Sequence, residues 1–297
     1  MNATFGIDHP LIAVRDIDGL RSRLISMGFN MTAVGKHPWG TSTSLAMFDG
    51  CLLEIMGIYD EALLDEVPAG DFRFGRHVYS HLEDREGVAL TALHSTDSVR
   101  DAARAVEAGF TVSGHLEFGR DVVLPDGQTD RTKTTLALMP DPTWSRLSFF
   151  LCQQHRPELI YVPSWLKHPN TVHGIAGVTI LAGEEDRPAL AKKLAGLYDI
   201  ERTVPGGFVF QTANGELRVL SQEAIESDFG TLPPAVTTPQ EPCIVGIDLM
   251  YSDEAVLEMH LQDSATAYSK RGSVFCLADS SVTGNTHLNF VQGDTGS

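Results

Sequence analysis

The sequence predicts an α+β fold built from four copies of a strand, helix and three-strand unit. Short apolar segments of strand type alternate along the chain with short amphipathic helices. The pair Gly-Phe follows the first predicted helix at Gly28 and the second at Gly109. Asp-Gly and Asn-Gly pairs separate apolar segments, as in two-residue hairpins. Self-similarity at this spacing indicates a modular architecture.

The first unit, residues 4–60, has the clearest pattern. Residues 6–14 are rich in Ile, Leu and Val and too short for a helix, so they predict a strand. Asp16 or Asp18 can cap the helix that follows. Residues 41–48 and 51–57 flank an Asp-Gly pair and predict a hairpin. The unit is therefore predicted to contain a strand, a helix and two or three antiparallel strands.

The other units repeat this order over residues 86–155, 172–222 and 243–293. Pro188 suits the first turn of the third unit's helix, and Asn214 with Gly215 predicts its hairpin. Two connections remain, residues 156–172 and the proline-rich residues 229–243.

Charge and composition exclude several classes of partner. The chain has 22 Lys plus Arg against 39 Asp plus Glu, a formal charge of -17, so nucleic acid and anionic membranes are not expected partners. The four cysteines lie far apart without a C-x-x-C pair, which predicts buried, reduced residues. No apolar segment reaches membrane-spanning length and no signal peptide is recognisable, so we predict a cytoplasmic protein.

His9 and Glu54 are the first candidates for chemistry. They lie in the first and last strands of the first unit. If these strands are neighbours, an imidazole nitrogen and a carboxylate oxygen can reach one metal ion. A strand histidine is otherwise more often a hydrogen-bonded structural residue. Glu54 lies between apolar residues, where a carboxylate needs a partner.

The segment Gly-Ile-Asp-His9, the helix ending at Gly28 and the pair Leu53-Glu54 resemble the first βαβββ module of the vicinal oxygen chelate (VOC) superfamily, which includes glyoxalases and extradiol dioxygenases. The segment Gly-Lys-His37-Pro-Trp-Gly-Thr resembles its glyoxalase-like branch. The resemblance implies two curved mixed β-sheet domains with helices outside, residues 1–160 and 172–297. It also implies a divalent metal ion, Fe, Mn, Zn or Ni.

The second module departs from this pattern. Its first strand offers Leu90 or Thr91 where a counterpart of His9 is expected. The strand equivalent to that of Glu54 ends in Gln153, Gln154 and His155. We predict His155 as the third metal ligand. Gln153, Gln154 and His168 are alternatives that would otherwise contact the substrate.

The segment from residue 149 to Asn170 resembles a second signature of the glyoxalase-like branch. The alternative is a loop folded over a sheet and held down by Tyr161 and Trp165. Both interpretations remain open from the sequence.

Further side chains are candidates for substrate binding. His37 and Trp39 either line a pocket or fix their loop. Arg120, at the base of the polar hairpin 119–132, can hold an anionic group. His173 is a weaker candidate. His77, His81 and His115 are expected on the surface.

Three functions fit these residues. The first is a metal-dependent glyoxalase-like lyase or isomerase in which the ion binds two neighbouring substrate oxygens and Glu54 or His155 moves the proton. The second is an Fe(II) extradiol ring-cleaving dioxygenase. The third is a metal-free protein that sequesters a small molecule, which suits the missing histidine of module two. A small-molecule substrate and a monomer or homodimer are expected, and no G-x-S-x-G or phosphate-binding loop is present.

Overall fold

The computed structural model of the protein describes residues 5–198, 201–236 and 241–293. The strands are β1 (Ile7–Ala13), β2 (Gly35–Lys36), β3 (Thr41–Phe48), β4 (Cys51–Ile58), β5 (Gly87–His94), β6 (Gly114–Phe118), β7 (Asp121–Val123), β8 (Thr129–Arg131), β9 (Thr134–Met139), β10 (Phe149–Gln154), β11 (Val172–Leu181), β12 (Glu201–Val204), β13 (Gly207–Gln211), β14 (Glu216–Leu220), β15 (Cys243–Tyr251), β16 (Tyr268–Arg271), β17 (Val274–Leu277) and β18 (His287–Gln292). The α-helices are α1 (Ile17–Ser26), α2 (Phe74–Asp84), α3 (Ser98–Glu107), α4 (Arg187–Ala195), α5 (Gln222–Phe229) and α6 (Glu254–Asp263).

Two eight-stranded mixed sheets have the same topology. The first has the order β2-β3-β4-β1-β5-β10-β9-β6, and the second has the order β12-β13-β14-β11-β15-β18-β17-β16. In each sheet the first strands of two modules pair antiparallel at the centre, and each pairs in parallel with the last strand of its own module. The predicted α+β fold of four βαβββ modules in two curved sheets is therefore confirmed. Modules one and two form the first sheet, and modules three and four form the second.

Local sequence signals fix the module boundaries. Asp16 accepts a hydrogen bond from the backbone N–H of Gly19 and caps α1, and Asp97 caps α3 in the same way. Gly50 has a φ of 72° in the hairpin between β3 and β4, a conformation that glycine adopts without strain. Helices α2 and α5 follow the last strands of modules one and three.

The two faces of the first sheet bury different apolar clusters. Ile12 and Ile55 belong to a core that includes residues of both sheets. Leu11 and Met56, their neighbours in β1 and β4, point to the opposite face because side chains alternate along a strand. There they pack in a cluster with Phe74 and other residues of α2. This second face carries the candidate site.

The environments of the cysteines and of two histidines bear on the sequence predictions. The four cysteines are buried and free, as predicted. His77 and His81 were expected on the surface, but they lie on α2, where burial lowers the pKa of both rings, that of His81 to about 3. Among the described residues no helix is long and apolar enough to cross a membrane. The proposed domain limits stay a prediction.

Candidate active site

A cavity of about 540 Å³ opens on the α2 face of the first sheet. Leu11, Met56 and Phe150 form part of its apolar wall. His9, Glu54 and Arg120 give it polar groups. This volume and this mixture of an apolar lining with a few polar groups are typical of sites for small molecules.

His9 and Glu54 come together inside this cavity. Strands β1 and β4 are parallel neighbours, with Leu11 opposite Glu54. Nε2 of His9 lies 3.3 Å from Oε2 of Glu54. The side chains are only 8% exposed each. The other carboxylate oxygen of Glu54 accepts a hydrogen bond from the hydroxyl of Thr43 in β3. That bond fixes the carboxylate in one orientation.

Asp8 supports the opposite edge of the imidazole. The pairing of β1 with β5 is irregular between Ile7 and His9, which allows the adjacent side chains of Asp8 and His9 to meet. Nδ1 of His9 lies 2.5 Å from Oδ1 of Asp8. The second carboxylate oxygen of Asp8 lies 3.2 Å from Nε2 of His94. Burial disfavours a charged His9, but the carboxylates of Asp8 and Glu54 outweigh burial and raise its pKa.

The donor set fits one side of a divalent metal ion. Imidazole nitrogen and carboxylate oxygen are common ligands of Zn, Mn, Fe and Ni, and a ligating histidine usually donates its other N–H to a carboxylate, as His9 does to Asp8. The possible ligand atoms of Asp8, His9 and Cys152 also lie within 4.8 Å of one another. Because Asp8 already holds Nδ1 of His9, we regard it as a support and Glu54 as the partner ligand. Burial, with the charges of Asp8 and Glu54, raises the pKa of the Cys152 thiol well above its usual value.

Module two contributes no histidine to this set. Strand β5 places Ala92 opposite His9 and Leu90 opposite Leu11. Strand β10 contributes Cys152 and Gln154 to the cavity wall. Cys152 and Gln154 are therefore the groups of module two nearest in kind to a further ligand.

His37 and Trp39 lie in the cavity wall at the turn between β2 and β3. Gly40 has a φ of 82°, and a Cβ there would lie 2.3 Å from the carbonyl oxygen of Asp60, so the turn requires glycine. Nδ1 of His37 is 2.9 Å from the hydroxyl of Thr41, and its ring stacks on Trp39 at a centroid distance of 4.7 Å. Burial, with the charge of Arg120, lowers the pKa of His37 well below its usual value. His37 is therefore a neutral imidazole near neutral pH.

Arg120 extends into the same cavity from the base of the β7–β8 hairpin. Its backbone N–H donates to the hydroxyl of Thr132, which fixes the base of the hairpin. Its guanidinium has no hydrogen bond or ion pair within the described ranges. Burial lowers the pKa of Arg120, and the nearby charge of Glu54 opposes that change. Arginine nevertheless stays protonated in proteins.

The two glutamines at the end of β10 point in different directions. Gln154 lies in the cavity wall, where its Oε1 accepts a hydrogen bond of 2.7 Å from the hydroxyl of Thr134. Gln153 faces α3, and its Oε1 accepts from the backbone N–H and the hydroxyl of Ser98. Only Gln154 is placed to contact a molecule in the cavity.

The other predicted histidines lie away from His9 and Glu54. His155 is exposed at the end of β10, outside the cavity, with Nε2 2.8 Å from the hydroxyl of Thr135. The structure therefore does not bring this predicted ligand to the site, because Cys152 and Gln154 face the cavity and side chains alternate along the strand. His168 accepts from the N–H of Asn30 and donates to the carbonyl of Met47. His173 lies in β11 of the second sheet, with Nε2 3.3 Å from the carbonyl of Gly293.

The connection between the sheets folds over the edge of the cavity. Ile160, Tyr161 and Trp165 pack against Leu45 and Leu52 of the β3–β4 hairpin. Ile160 and Trp165 also line the cavity. This packing agrees with the loop interpretation of the segment, and it adds an apolar rim to the site.

The corresponding strands of the second sheet carry an internal ion pair. Arg218 in β14 pairs with Asp248 in β15, and Asn289 in β18 donates to Asp248 at 2.9 Å. The carboxylate of Asp248 thus has one partner from the adjacent strand β18 and one from β14, on the far side of β11. Among the described residues of the second sheet there is no His–Glu pair like that of the first.

Sequence reasoning missed Asp8, Thr43 and Cys152. Asp8 directly precedes His9, but regular strand alternation places neighbours on opposite faces, which hides the contact. Thr43 was inconspicuous within a predicted strand. Cys152 was predicted to be a buried core residue, which is correct, and it also borders the cavity.

Comparisons with known proteins agree with this architecture. A search of curated proteins found no match. A hypothetical protein from Staphylococcus aureus is similar over 97% of this chain and 100% of its own, with 10% identity and a TM-score of 0.68. A triple mutant of 4-hydroxymandelate synthase from Streptomyces coelicolor is similar over 100% of this chain and 95% of its own, with 13% identity and a TM-score of 0.62. A xylose isomerase-like TIM barrel/4-hydroxyphenylpyruvate dioxygenase fusion protein is similar over 100% of this chain and 50% of its own, with 12% identity and a TM-score of 0.56. Identities this low establish a shared fold and nothing more.

The match to a protein family is more specific. The family described as "Glyoxalase-like domain" matches residues 7–198, a range that includes His9, Glu54 and Arg120. The resemblance to the glyoxalase-like branch of the VOC superfamily is thereby confirmed, and the chain belongs to the glyoxalase-like domain family.

Proposed function

We propose that this protein is a metal-dependent enzyme of the lyase or isomerase type that acts on a small oxygenated molecule in the first-sheet cavity. The observation that carries the proposal is the pair formed by Nε2 of His9 and Oε2 of Glu54, 3.3 Å apart in the cavity wall. Membership of the glyoxalase-like family supports it, since metal-dependent enzymes are common in the VOC superfamily.

His9 and Glu54 would hold the ion from one side. A divalent ion bound there supplies Lewis-acid stabilisation to two neighbouring oxygens of a substrate. Asp8 keeps the proton of His9 on Nδ1, so that Nε2 has a free lone pair toward the cavity. Thr43 holds one oxygen of Glu54, which leaves the other directed at His9.

Proton transfer would involve Glu54 or His37. Both line the cavity, whereas His155 does not. Burial lowers the pKa of His37, so its neutral ring is a weak base that can accept a hydrogen bond from a substrate hydroxyl, and Glu54 is the stronger candidate for the proton. The apolar rim formed by Ile160 and Trp165 limits the access of water to both groups.

The dioxygenase alternative has less support from this site. A site with two histidines and one carboxylate needs a second imidazole beside His9 and Glu54. Within the described ranges, no second histidine joins them at ligand distance. The name 4-hydroxyphenylpyruvate dioxygenase describes one structural neighbour, whose identity of 12% to this chain is too low to transfer an activity.

A metal-free binding protein is the second candidate function. It is favoured by Ala92 and Leu90, which leave the first strand of module two without a metal donor opposite His9 and Leu11. The apolar cavity would suit a sequestered small molecule in the same way as a substrate.

Metal content separates the two candidates. We expect the purified protein, loaded with Mn, Fe, Zn or Ni and dialysed, to retain one divalent ion per chain by mass spectrometry. His9→Ala and Glu54→Gln should lose it. The matched control is His155→Ala, which removes an exposed histidine and should keep the ion. A wild-type protein that retains no metal would contradict the enzyme proposal and support the binder. A His9→Ala variant that retains the ion fully would contradict the assignment of the metal to His9 and Glu54.

A further inference from the structure

Arg120 is a partly buried cation without a counter-charge of its own among the described residues. It lines the cavity, and within the described ranges it forms no ion pair or hydrogen bond through its guanidinium. The carboxylate of Glu54 interacts with the guanidinium of Arg120 only through longer-range electrostatics. A charge removed from water needs a partner, because the lost hydration is otherwise uncompensated.

The charges of the site indicate the sign of that partner. The carboxylates of Asp8 and Glu54 balance the two charges of a divalent ion, on the premise of the proposed function. The charge of Arg120 is then left over. A bound molecule with one negative charge would neutralise the cavity.

The side chains that line the cavity near Arg120 indicate the chemistry of the uncharged part of the bound molecule. Phe118, two residues before Arg120, contacts the rings of His37 and Trp39 edge-on at centroid distances of 5.8 and 5.1 Å. Trp39 also contacts Phe74 at 5.3 Å. Such an aromatic surface favours a flat apolar group over a sugar or another polyol.

We propose that the substrate is an amphiphilic organic carboxylate whose carboxylate group pairs with Arg120. Its apolar body packs against the aromatic wall at Trp39 and Phe118. Two further oxygens, separate from the carboxylate, lie toward His9 and Glu54. The assignment of those oxygens and the charge balance rest on the proposed function, whereas the lack of a hydrogen-bond or ion-pair partner for the Arg120 guanidinium in the cavity wall does not.

A carboxylate fits Arg120 better than a phosphate does. A single guanidinium offers two parallel N–H groups, which match the two oxygens of a carboxylate. Phosphate groups with two charges usually recruit several basic groups or a helix N-terminus. Asp121, the next residue, also lines the cavity, but its carboxylate pairs with the exposed Arg131 and does not offset the charge of Arg120.

The test compares two ligands that differ only in charge. The probes are 4-phenylbutanoate and 4-phenylbutanamide, with binding measured by calorimetry and by the fluorescence of Trp39 and Trp165 in the metal-loaded protein. We expect the acid to bind about tenfold more tightly or better, the effect of a charge-assisted hydrogen-bond pair. Arg120→Gln should remove this preference. Arg100→Gln is the matched control, because it removes the same charge from an exposed arginine of α3 that does not line the cavity.

Equal affinity for acid and amide overturns the proposal, and so does a preference for the acid that survives Arg120→Gln. The absence of acid binding at millimolar concentration also overturns it.

Metal analysis of the same samples distinguishes failure of this proposal from failure of the proposed function. Retained metal without a preference for the acid refutes the carboxylate assignment and leaves the metal enzyme in place. A preference for the acid that depends on Arg120, in protein that holds no metal, refutes the metal enzyme and leaves the assignment in place.

Discussion

Asp8 lies directly behind His9, with its Oδ1 atom 2.5 Å from Nδ1 of the imidazole. This contact fixes the ring and its tautomer, so Nε2 faces Glu54 and the cavity. Carboxylates that support a ligating histidine typically contribute 10–100-fold to metal affinity. We therefore expect Asp8→Asn to weaken metal binding by about that factor, measured by competition with a chromophoric chelator.

The control for this prediction is Asp18→Asn, which removes an exposed carboxylate from α1. It reproduces the change in net charge without touching His9. Equal affinities for Asp8→Asn, Asp18→Asn and wild type would show that Asp8 does not act through the metal site.

Substitution of Thr43 tests whether its hydrogen bond orients the carboxylate of Glu54. Its hydroxyl donates to one oxygen of the buried carboxylate. Thr43→Val keeps the shape of the side chain and leaves that oxygen without a donor, which costs about 1–3 kcal/mol. We expect the free energy of unfolding of the metal-free protein to fall by this amount in urea titrations. Thr43→Ser, which keeps the hydroxyl, should stay close to wild type, and equal losses in both variants would point to packing instead.

Gln153 and Gln154 form a natural pair for comparison. Gln153 caps the start of α3 through Ser98, so Gln153→Ala should reduce stability by about 1 kcal/mol and leave ligand binding unchanged. Gln154 borders the cavity, so Gln154→Ala should change the affinity for cavity ligands instead. The checks are urea titration and calorimetry with the acid probe. Lost ligand affinity in Gln153→Ala together with lost stability in Gln154→Ala would mean that Gln153 faces the cavity and Gln154 faces α3.

Much of the fold follows from the sequence because its signals are local. Aspartate caps, the Asp-Gly hairpin and short apolar strands are each decided by neighbouring residues, and the structure reproduces them. The proximity of His9 and Glu54 followed from one topological assumption, that β1 and β4 are neighbours, which the structure confirms.

The rest of the site depends on contacts that no local pattern records. Asp8 reaches His9 only because the β1–β5 pairing is irregular at that point. His155 was chosen for its position after β10, but the direction of a side chain at a strand end depends on how the strand finishes. His168 and Trp165 lie in a connection whose packing on the β3–β4 hairpin is a tertiary contact.

His81 on α2 predicts a loss of stability in acid. Burial, assisted by the charge of Arg85, lowers the pKa of His81 from 6.5 to about 3. Between these values the unfolded chain binds a proton that the folded protein does not, so stability is complete above pH 6.5 and falls as the pH decreases. From about pH 7 to about pH 5 this residue should cost about 2 kcal/mol of unfolding free energy. Urea titrations should show a shallower pH dependence for His81→Gln than for wild type or for His115→Gln, which replaces an exposed histidine. Identical slopes in all three proteins would assign the acid sensitivity to other groups.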